Sequence, residues 1–211
     1  MELHGYFRST AAWRVRIALG LKGMTTAQVS HHLRKGEQRA AAYLRLNPQG
    51  LVPTLVLDDG RVLTQSLAIC EYLDETRPDP LLLPRDPVAR AHVRAFAQVI
   101  ACDVHPVQNL KVLNRLRALG HDEEQVNGWA REVIAEGLAA CEALIRGEGP
   151  GPFCFGGQPT LADICIVPQL FNARRFGVDL VPLPRLLAVE AACLTVPAFA
   201  DAAPERQPDF E

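Results

Sequence analysis

Apolar residues follow two different periods along the chain, and the change comes near residue 78. Before it, short strand-like runs alternate with helix-like spacing; after it, apolar residues recur almost everywhere at three- and four-residue intervals. Leu3 to Phe7 predicts a short strand, then a turn at Arg8-Ser9-Thr10, then a helix from Ala11 to Leu21. Val15, Ala18 and Leu21 fall roughly in line on that helix, and Gly23 suits its C-terminal end. Thr26 to Ser30 predicts a second strand, and Arg39 to Leu46 a short helix that stops before Asn47-Pro48. Thr54–Leu57 and Arg61–Leu63 flank Asp58-Asp59-Gly60, a hairpin signal, and a helix is expected from Ser66 to about Thr76.

The order strand, helix, strand, helix, hairpin, helix is that of an α/β thioredoxin-like N-terminal domain. It is followed by Pro78, Pro80, Pro84 and Pro87, four prolines in ten residues, where neither helix nor central strand persists. Beyond them the pattern predicts an all-α C-terminal domain. A long helix is expected from Pro87 to Leu116, with Val93, Phe96, Ile100, Val104 and Val107 at helical spacing and a kink at Pro106. A second runs from Glu124 to Ile145 and presents Val126, Trp129, Val133, Gly137, Cys141 and Leu144 on one face. After a loop rich in Gly and Pro over 147–159, Thr160-Leu161-Ala162-Asp163 reads as a capping box opening a helix to about Arg175. A shorter helix covers Pro184 to Cys193, and the polar tail Asp201–Glu211 is expected to be loosely held. The expected division is therefore 1–80, a linker at 81–87, and 88–211.

Composition narrows the function classes. The 211 residues are 48% hydrophobic and 22% charged, with a formal net charge of −2. No basic field draws nucleic acid or anionic lipid, so neither is expected as a partner. No apolar run approaches the ~18–20 residues of a membrane helix. The first residues, Met1-Glu2-Leu3-His4-Gly5, lack the basic start and apolar core of a signal peptide, so a cytoplasmic protein is expected. Of the six cysteines, no two lie closer than eleven residues, and the six histidines show no metal spacing. Most of the cysteines read as small buried hydrophobes, and no metal is expected.

Three places carry candidate chemistry. Ser9 lies in a turn from strand to helix, where the free N–H groups and the partial positive charge of a helix N-terminus stabilise an anion. A hydroxyl there donates to a thiolate and raises its fraction at neutral pH; the plainer reading of Ser9 or Thr10 is an N-cap. Val52-Pro53 precedes a strand, and a cis bond there turns the Val52 backbone groups toward an extended peptide ligand; the plainer reading is a strand-entry proline. Gln65-Ser66 opens a helix that suits a ligand carboxylate, or is again a cap.

Taken together, these segments resemble a known family. The run Phe7-Arg8-Ser9-Thr10-Ala11-Ala12-Trp13-Arg14-Val15-Arg16 resembles the N-terminal signature of the zeta-class glutathione transferases. So do Asn47-Pro48, Val52-Pro53-Thr54-Leu55, Gln65-Ser66 through Tyr72-Leu73, and Pro106-Val107-Gln108-Asn109. Asp163, Val167-Pro168-Gln169, Asn172-Ala173-Arg174-Arg175-Phe176 and Arg206-Gln207-Pro208-Asp209 extend the resemblance over nearly the whole chain.

The resemblance implies the glutathione transferase fold, glutathione as cofactor, and a homodimer. It implies Ser9, with Thr10 beside it, as the catalytic positions. Ser9 faces the glutathione sulfur, Val52 pairs through its backbone with the cysteinyl part, and Gln65 and Ser66 hold the γ-glutamyl end. Gln38, His105 and Asn109 match further glutathione-contacting positions; the last two share a helix face by their i, i+4 spacing. Arg175 matches a position for a small dicarboxylic enoyl-acid substrate, and Arg8, which precedes the catalytic turn, suits the same substrate, whose carboxylates fit guanidinium. Arg175 is expected to point inward and Arg174 to solvent. The implied reaction is cis–trans isomerisation of maleylacetoacetate to fumarylacetoacetate by thiolate addition, rotation and elimination. The same chemistry on maleylpyruvate, conjugation or dehalogenation of α-halo acids, and a non-enzymatic binding protein are the alternatives. Many relatives carry a cysteine where this chain has Ala11, so the working thiol is expected to arrive with the tripeptide.

Overall fold

A computed structural model of the chain describes every residue except Glu148 and Pro150. The chain forms two compact units: Met1–Leu82 together with Leu194–Glu211, and Leu83–Cys193. The expected division assigned everything after residue 87 to the helical part; the closing segment packs instead within the first unit.

The sheet of that unit has the order β2-β1-β3-β4, from β1 (Glu2–Gly5), β2 (Ala27–Ser30), β3 (Thr54–Val56) and β4 (Val62–Thr64). β1 runs parallel to β2 and antiparallel to β3, and β3 forms the expected hairpin with β4. Three helices accompany it: α1 (Thr10–Leu21), α2 (Ala41–Leu46) and α3 (Ser66–Thr76). α1 is buried on every side from Thr10 to Leu19, a wider burial than the stripe Val15, Ala18 and Leu21 suggests. The cause is a second cover. α3 packs on α1, and so does α9 (Pro197–Asp201), which the C-terminal segment supplies. Gly20 permits this approach, since a Cβ there would stand 3.0 Å from the Ala198 Cβ.

Three cations, Arg14, Arg16 and Lys22, are buried with these apolar residues, and each is met by acceptors, as burial requires. Lys22 Nζ meets Asp74 Oδ1 at 2.7 Å and also donates to the Pro80 carbonyl, while Asp74 accepts the Leu82 N–H. Arg16 donates from Nε to the Ala202 carbonyl (3.0 Å), from Nη2 to Phe7 O (2.8 Å) and from Nη1 to Tyr6 O (3.5 Å). Burial lowers the Arg16 pKa to about 10, with the Asp209 charge opposing, so it stays protonated at neutral pH. The tail is correspondingly not loose. Pro204–Arg206 forms a 3₁₀ turn, and Gln207 Nε2 donates to the Asp201 and Ala203 carbonyls at 2.9 Å.

In the second unit, Asp86 caps α4 (Pro87–Gln98) by accepting the Ala89 N–H, with Pro87 in the first turn. The long helix expected to Leu116 is three pieces. α4 widens into a π-helical turn, Val99–Val104, ending in an i−5 bond from His105 N–H to Ile100 O (2.8 Å). The chain then leaves the helix and resumes as α5 (Leu110–Ala118) after Asn109. Pro106 has no amide to continue the ladder, and the wider turn just before it takes up the misfit, so a break stands where a kink was expected.

α6 (Glu123–Ile145) starts at a capping box of Asp122 and Gln125. Its buried stripe is Val126, Ala130, Ile134, Leu138, Cys141 and Ile145. Trp129 and Leu144, placed by the spacing on one apolar face, are 41% and 49% exposed. Two apolar stripes compete on this helix, and close packing at Gly137, beneath Val104, accompanies the one that is buried.

The capping box ahead of α7 (Leu161–Arg175) is formed as expected. The Asp163 carboxylate, fully buried, accepts from Thr160 N–H (2.7 Å), Thr160 Oγ1 (2.8 Å) and Cys154 N–H (2.8 Å). Burial nonetheless pushes its pKa up. The buried Glu142 accepts the Arg185 and Leu186 N–H groups at the start of α8 (Pro184–Leu194). Among the described residues, no helix is long and apolar enough to cross a membrane.

A Cβ on Gly137 would lie 2.0 Å from Val104 Cγ2. Gly137→Ala is therefore expected to destabilise the second unit by about 1–3 kcal/mol, although alanine favours a helix. Adding Val104→Ala should recover part of the loss, and a urea-denaturation double-mutant cycle measures this coupling.

Candidate active site

The strand register places four loops at one end of the sheet. Gly5 pairs with Ser30, His4 with Thr54, and Thr54 with Thr64. The exits of β1, β2 and β4 and the entrance to β3 therefore lie side by side. Ser9 follows the first exit, Gln38 the second and Gln65-Ser66 the third, and Val52-Pro53 precedes the entrance.

Ser9 is the N-cap of α1, and its Oγ accepts the Ala12 N–H at 3.2 Å. That bond occupies a lone pair and leaves the hydroxyl proton to be donated elsewhere. The cap and the anion-facing readings of this serine are thus compatible. The Ser9 N–H donates back to Tyr6 O (3.0 Å), closing the turn. Thr10 is buried, and the half-buried Arg8 lies 5.5 Å above the Phe7 ring.

Val52 lies outside β3 and, among the described residues, takes part in none of the backbone hydrogen bonds made outside regular elements. The Val52–Pro53 bond is cis. The turn before it is braced from α2. Tyr43 OH donates to Leu51 O (2.6 Å) and contacts Thr54 Oγ1 (2.9 Å), and Asn47 Nδ2 donates to Leu51 O (2.8 Å). The Tyr43 ring packs on His31 (4.3 Å between centroids), and His31 stacks on His4 with a 2.9 Å nitrogen–nitrogen contact. Tyr43 and Asn47 were not among the expected site residues; their nearest sequence signal is Asn47-Pro48.

Gln65 is the only non-glycine residue with positive φ (69°) among the described residues. Such a conformation costs of order 1–3 kcal/mol and tends to persist where function holds it. Its side chain is exposed and donates to Gln49 Oε1 (2.9 Å). It makes no side-chain cap for α3, so the first-turn N–H groups remain available to a carboxylate. Ser66, buried, accepts from Arg14 Nη1 (3.3 Å), a guanidinium buried in α1 that adds positive charge to the same place. Arg14 was not among the expected site residues, although an arginine inside an apolar helix is itself a signal. Gln38 sits in the 3₁₀ turn Glu37–Arg39 and donates to Leu33 O (3.4 Å), folded onto its own loop.

In the second unit His105 and Asn109 flank the break after the π-helical turn. They do not share a helix face, yet Asn109 Nδ2 lies 3.4 Å from His105 Nε2. Between them Gln108 accepts from Asn172 Nδ2 (3.0 Å), and Asn172 Oδ1 accepts from Arg175 Nη1 (3.0 Å). Trp129 Nε1 donates to Val107 O (3.1 Å). Arg175 is exposed and lies over the Phe176 ring, so the expectation that it turns inward is corrected. Asn172 lies one turn back on the same face of the helix. Arg174, also exposed, is engaged by both Glu190 oxygens.

The cysteines offer no nucleophile at this sheet end. Five are buried and Cys102 is exposed, and all are free thiols. Burial pushes the Cys141 thiol up to about 12 and raises Cys154 and Cys193 further from the thiolate range.

Two family models match, described as "Glutathione S-transferase, N-terminal domain" over residues 8–76 and "Glutathione S-transferase, C-terminal domain" over 89–192. The chain is 50% identical over 211 residues to a maleylacetoacetate isomerase of Pseudomonas aeruginosa, covering 99% of this chain and 98% of that one. It resembles a holo structure of a maleyl pyruvate isomerase, described as a bacterial zeta-class glutathione S-transferase, with a TM-score of 0.97, 46% identity and full coverage of both chains. It also resembles a maleylacetoacetate isomerase of Methylobacterium extorquens solved with bound malonate and GSH, at a TM-score of 0.96, 40% identity and full coverage of both.

The imidazoles behind Tyr43 make a pH prediction. Burial lowers the pKa of both His4 and His31; Glu2 opposes this at His4, while at His31 the His4 charge adds to it and Glu37 opposes it. A folded value below the unfolded one means that the unfolded chain takes up protons first as pH falls. The stability from this pair is then full above about pH 6.5 and is lost as pH falls through the lowered folded values. The urea midpoint should fall between about pH 7.5 and about pH 5.5, and His31→Gln should flatten that slope.

Proposed function

Because the chain belongs to the glutathione S-transferase family, we propose that it catalyses glutathione-dependent cis–trans isomerisation of a small maleyl dicarboxylic acid, maleylacetoacetate to fumarylacetoacetate. The observation that carries this reading is the gathering at one sheet end of the Ser9 hydroxyl, the Val52 backbone and the open N-terminus of α3. These groups fit a γ-glutamyl tripeptide: a carboxylate for the helix N-terminus, a peptide backbone for Val52, and a sulfur for Ser9. When bound, glutathione supplies a thiol nucleophile for reversible addition to a conjugated double bond, which then rotates as a single bond.

In this reading the chain's own residues do four things. Ser9 donates its hydroxyl proton toward the sulfur and favours the thiolate, helped by the N-terminal end of α1. Val52 holds the peptide in register through its N–H and C=O. Ser66 and the first-turn amides of α3, with Arg14 behind them and Gln65 at their edge, receive the γ-glutamyl carboxylate. Arg8 and Arg175 bind the substrate carboxylates and stabilise negative charge that develops on the substrate. His105 and Asn109, in the turn that the Gln108–Asn172 contact holds, serve as further glutathione-contacting groups. Gln38 and Thr10 act at the margin, Thr10 by packing the Ser9 turn. Ala11 contributes no chemistry, which suits a mechanism whose sulfur comes from the bound tripeptide.

The same reaction on maleylpyruvate is a second reading, favoured by the similarity to the maleyl pyruvate isomerase structure. On family membership we take the acting form to be a cytoplasmic homodimer.

Purified protein with glutathione is expected to isomerise maleylacetoacetate, and side-by-side kinetics on maleylpyruvate decide between the two substrates. Ser9→Ala removes a hydrogen bond to a charged group, about 1.5–3 kcal/mol, so kcat should fall by about 10–100-fold. Arg175→Ala should act mainly on KM. Absence of turnover on both maleyl acids defeats the assignment.

A further inference from the structure

We propose that Asp209 is a positioning residue for Ser9, and that the last residues of the chain act as a clamp on the turn that carries it. The inference rests on the reading of Ser9 as the group facing the glutathione sulfur, and deepens it. The clamp is built entirely within the first unit.

Asp209 Oδ2 accepts two hydrogen bonds, from the Phe7 N–H at 3.0 Å and from Ser30 Oγ at 2.5 Å. It therefore joins the exits of β1 and β2 and holds the peptide immediately before Arg8-Ser9. The same segment is held from the other side by Arg16, which takes the Tyr6 and Phe7 carbonyls. Asp209 and Arg16 attract each other electrostatically, so the Phe7 peptide lies between opposite charges, with its donor on the anion and its acceptor on the cation. This orientation defines one position of the peptide plane. Tyr6 O, fixed by Arg16, accepts the Ser9 N–H, so the constraint passes one turn further to Ser9 itself.

The neighbouring tail residues close the clamp. The Phe210 ring meets Phe7 edge-on, 5.6 Å between centroids. Glu211 accepts from Tyr6 OH (3.1 Å) and pairs with His32 Nε2 (2.6 Å). All three contacts fall on Tyr6, Phe7 or the loop after β2. A tail that merely covered apolar surface would have no need of two carboxylates aimed at the backbone and side chains beside Ser9.

The geometry separates this role from binding. Val52, Gln65 and Ser66 receive nothing from the tail among the described contacts, whereas the Ser9 turn depends on it. Loosening the clamp should thus weaken the hydrogen bond from Ser9 to the sulfur and leave tripeptide binding nearly intact.

The test compares wild type with Asp209→Ala, Asp209→Asn and Ser30→Ala. The pKa of the bound glutathione thiol is read from the ultraviolet absorbance of its thiolate, alongside glutathione affinity, kcat and thermal stability. Asp209→Ala is expected to raise the bound thiol pKa by about one unit and to lower kcat about tenfold at neutral pH, with glutathione affinity within about twofold of wild type. Asp209→Asn keeps an oxygen acceptor for Phe7 N–H and should recover most of the shift. Ser30→Ala, which removes only one of the two bonds, should fall between. An unmoved thiol pKa in Asp209→Ala, whether or not stability drops, overturns the positioning role alone. A wild-type protein that shows no thiolate signal with glutathione overturns the reading of the site, and the clamp with it.

Discussion

The first unit depends on a buried cation. Arg16 lies in α1 among apolar side chains, and a buried guanidinium persists only where its donors are met. Its acceptors come from two distant parts of the chain: the exit of β1, at Tyr6 and Phe7, and the carbonyl of Ala202. One side chain thereby ties the strand end to the C-terminal segment. With Gly20 admitting Ala198 to contact, the return of that segment helps bury α1 from Thr10 to Leu19. The division of the chain into units follows from this, since residues 194–211 satisfy the first unit's buried groups.

The helix N-termini differ in how their free amides are met. α4 and α6 begin with aspartate carboxylates that accept a first-turn amide, and α7 begins with the Thr160–Asp163 box. α1 is capped by a neutral hydroxyl that keeps its proton, and α3 has no side-chain cap. α1 and α3 both start at the same end of the same sheet, where an open or neutrally capped helix end suits an anion. The strained Gln65 backbone belongs to one of them, which fits a local conformation held for binding at a cost in stability.

In the helical unit a proline and a glycine do comparable work. Pro106 forces the ladder to stop, and the residues before it widen into a π turn that brings His105, Gln108 and Asn109 into an irregular connection. Gly137 allows Val104, the last residue of that turn, to press against α6. The connection is then anchored to α7 by the Gln108–Asn172 contact, and Arg175 joins the same chain of hydrogen bonds. Arg175, expected to point inward, is exposed and bonded to Asn172.

Local physics was legible in the sequence. The Thr160–Asp163 box, the Asp58-Asp59-Gly60 hairpin, the α3 boundaries and the serine at a strand-to-helix turn depend on neighbours within a few residues, and each formed where it was expected. The Ser9, Val52 and Gln65-Ser66 loops were likewise named from sequence, because turn and cap residues carry their own signals. Tertiary structure alone decided which of two apolar stripes on α6 is buried, whether Pro106 bends or breaks its helix, where Arg175 points, and that the tail from Asp201 closes over the Ser9 turn. Each of these depends on a partner far away in the chain. Apolar spacing gives no information on which face a distant side chain will meet, and a polar tail looks free until a buried arginine and an unpaired strand-end amide require its carbonyls and carboxylates.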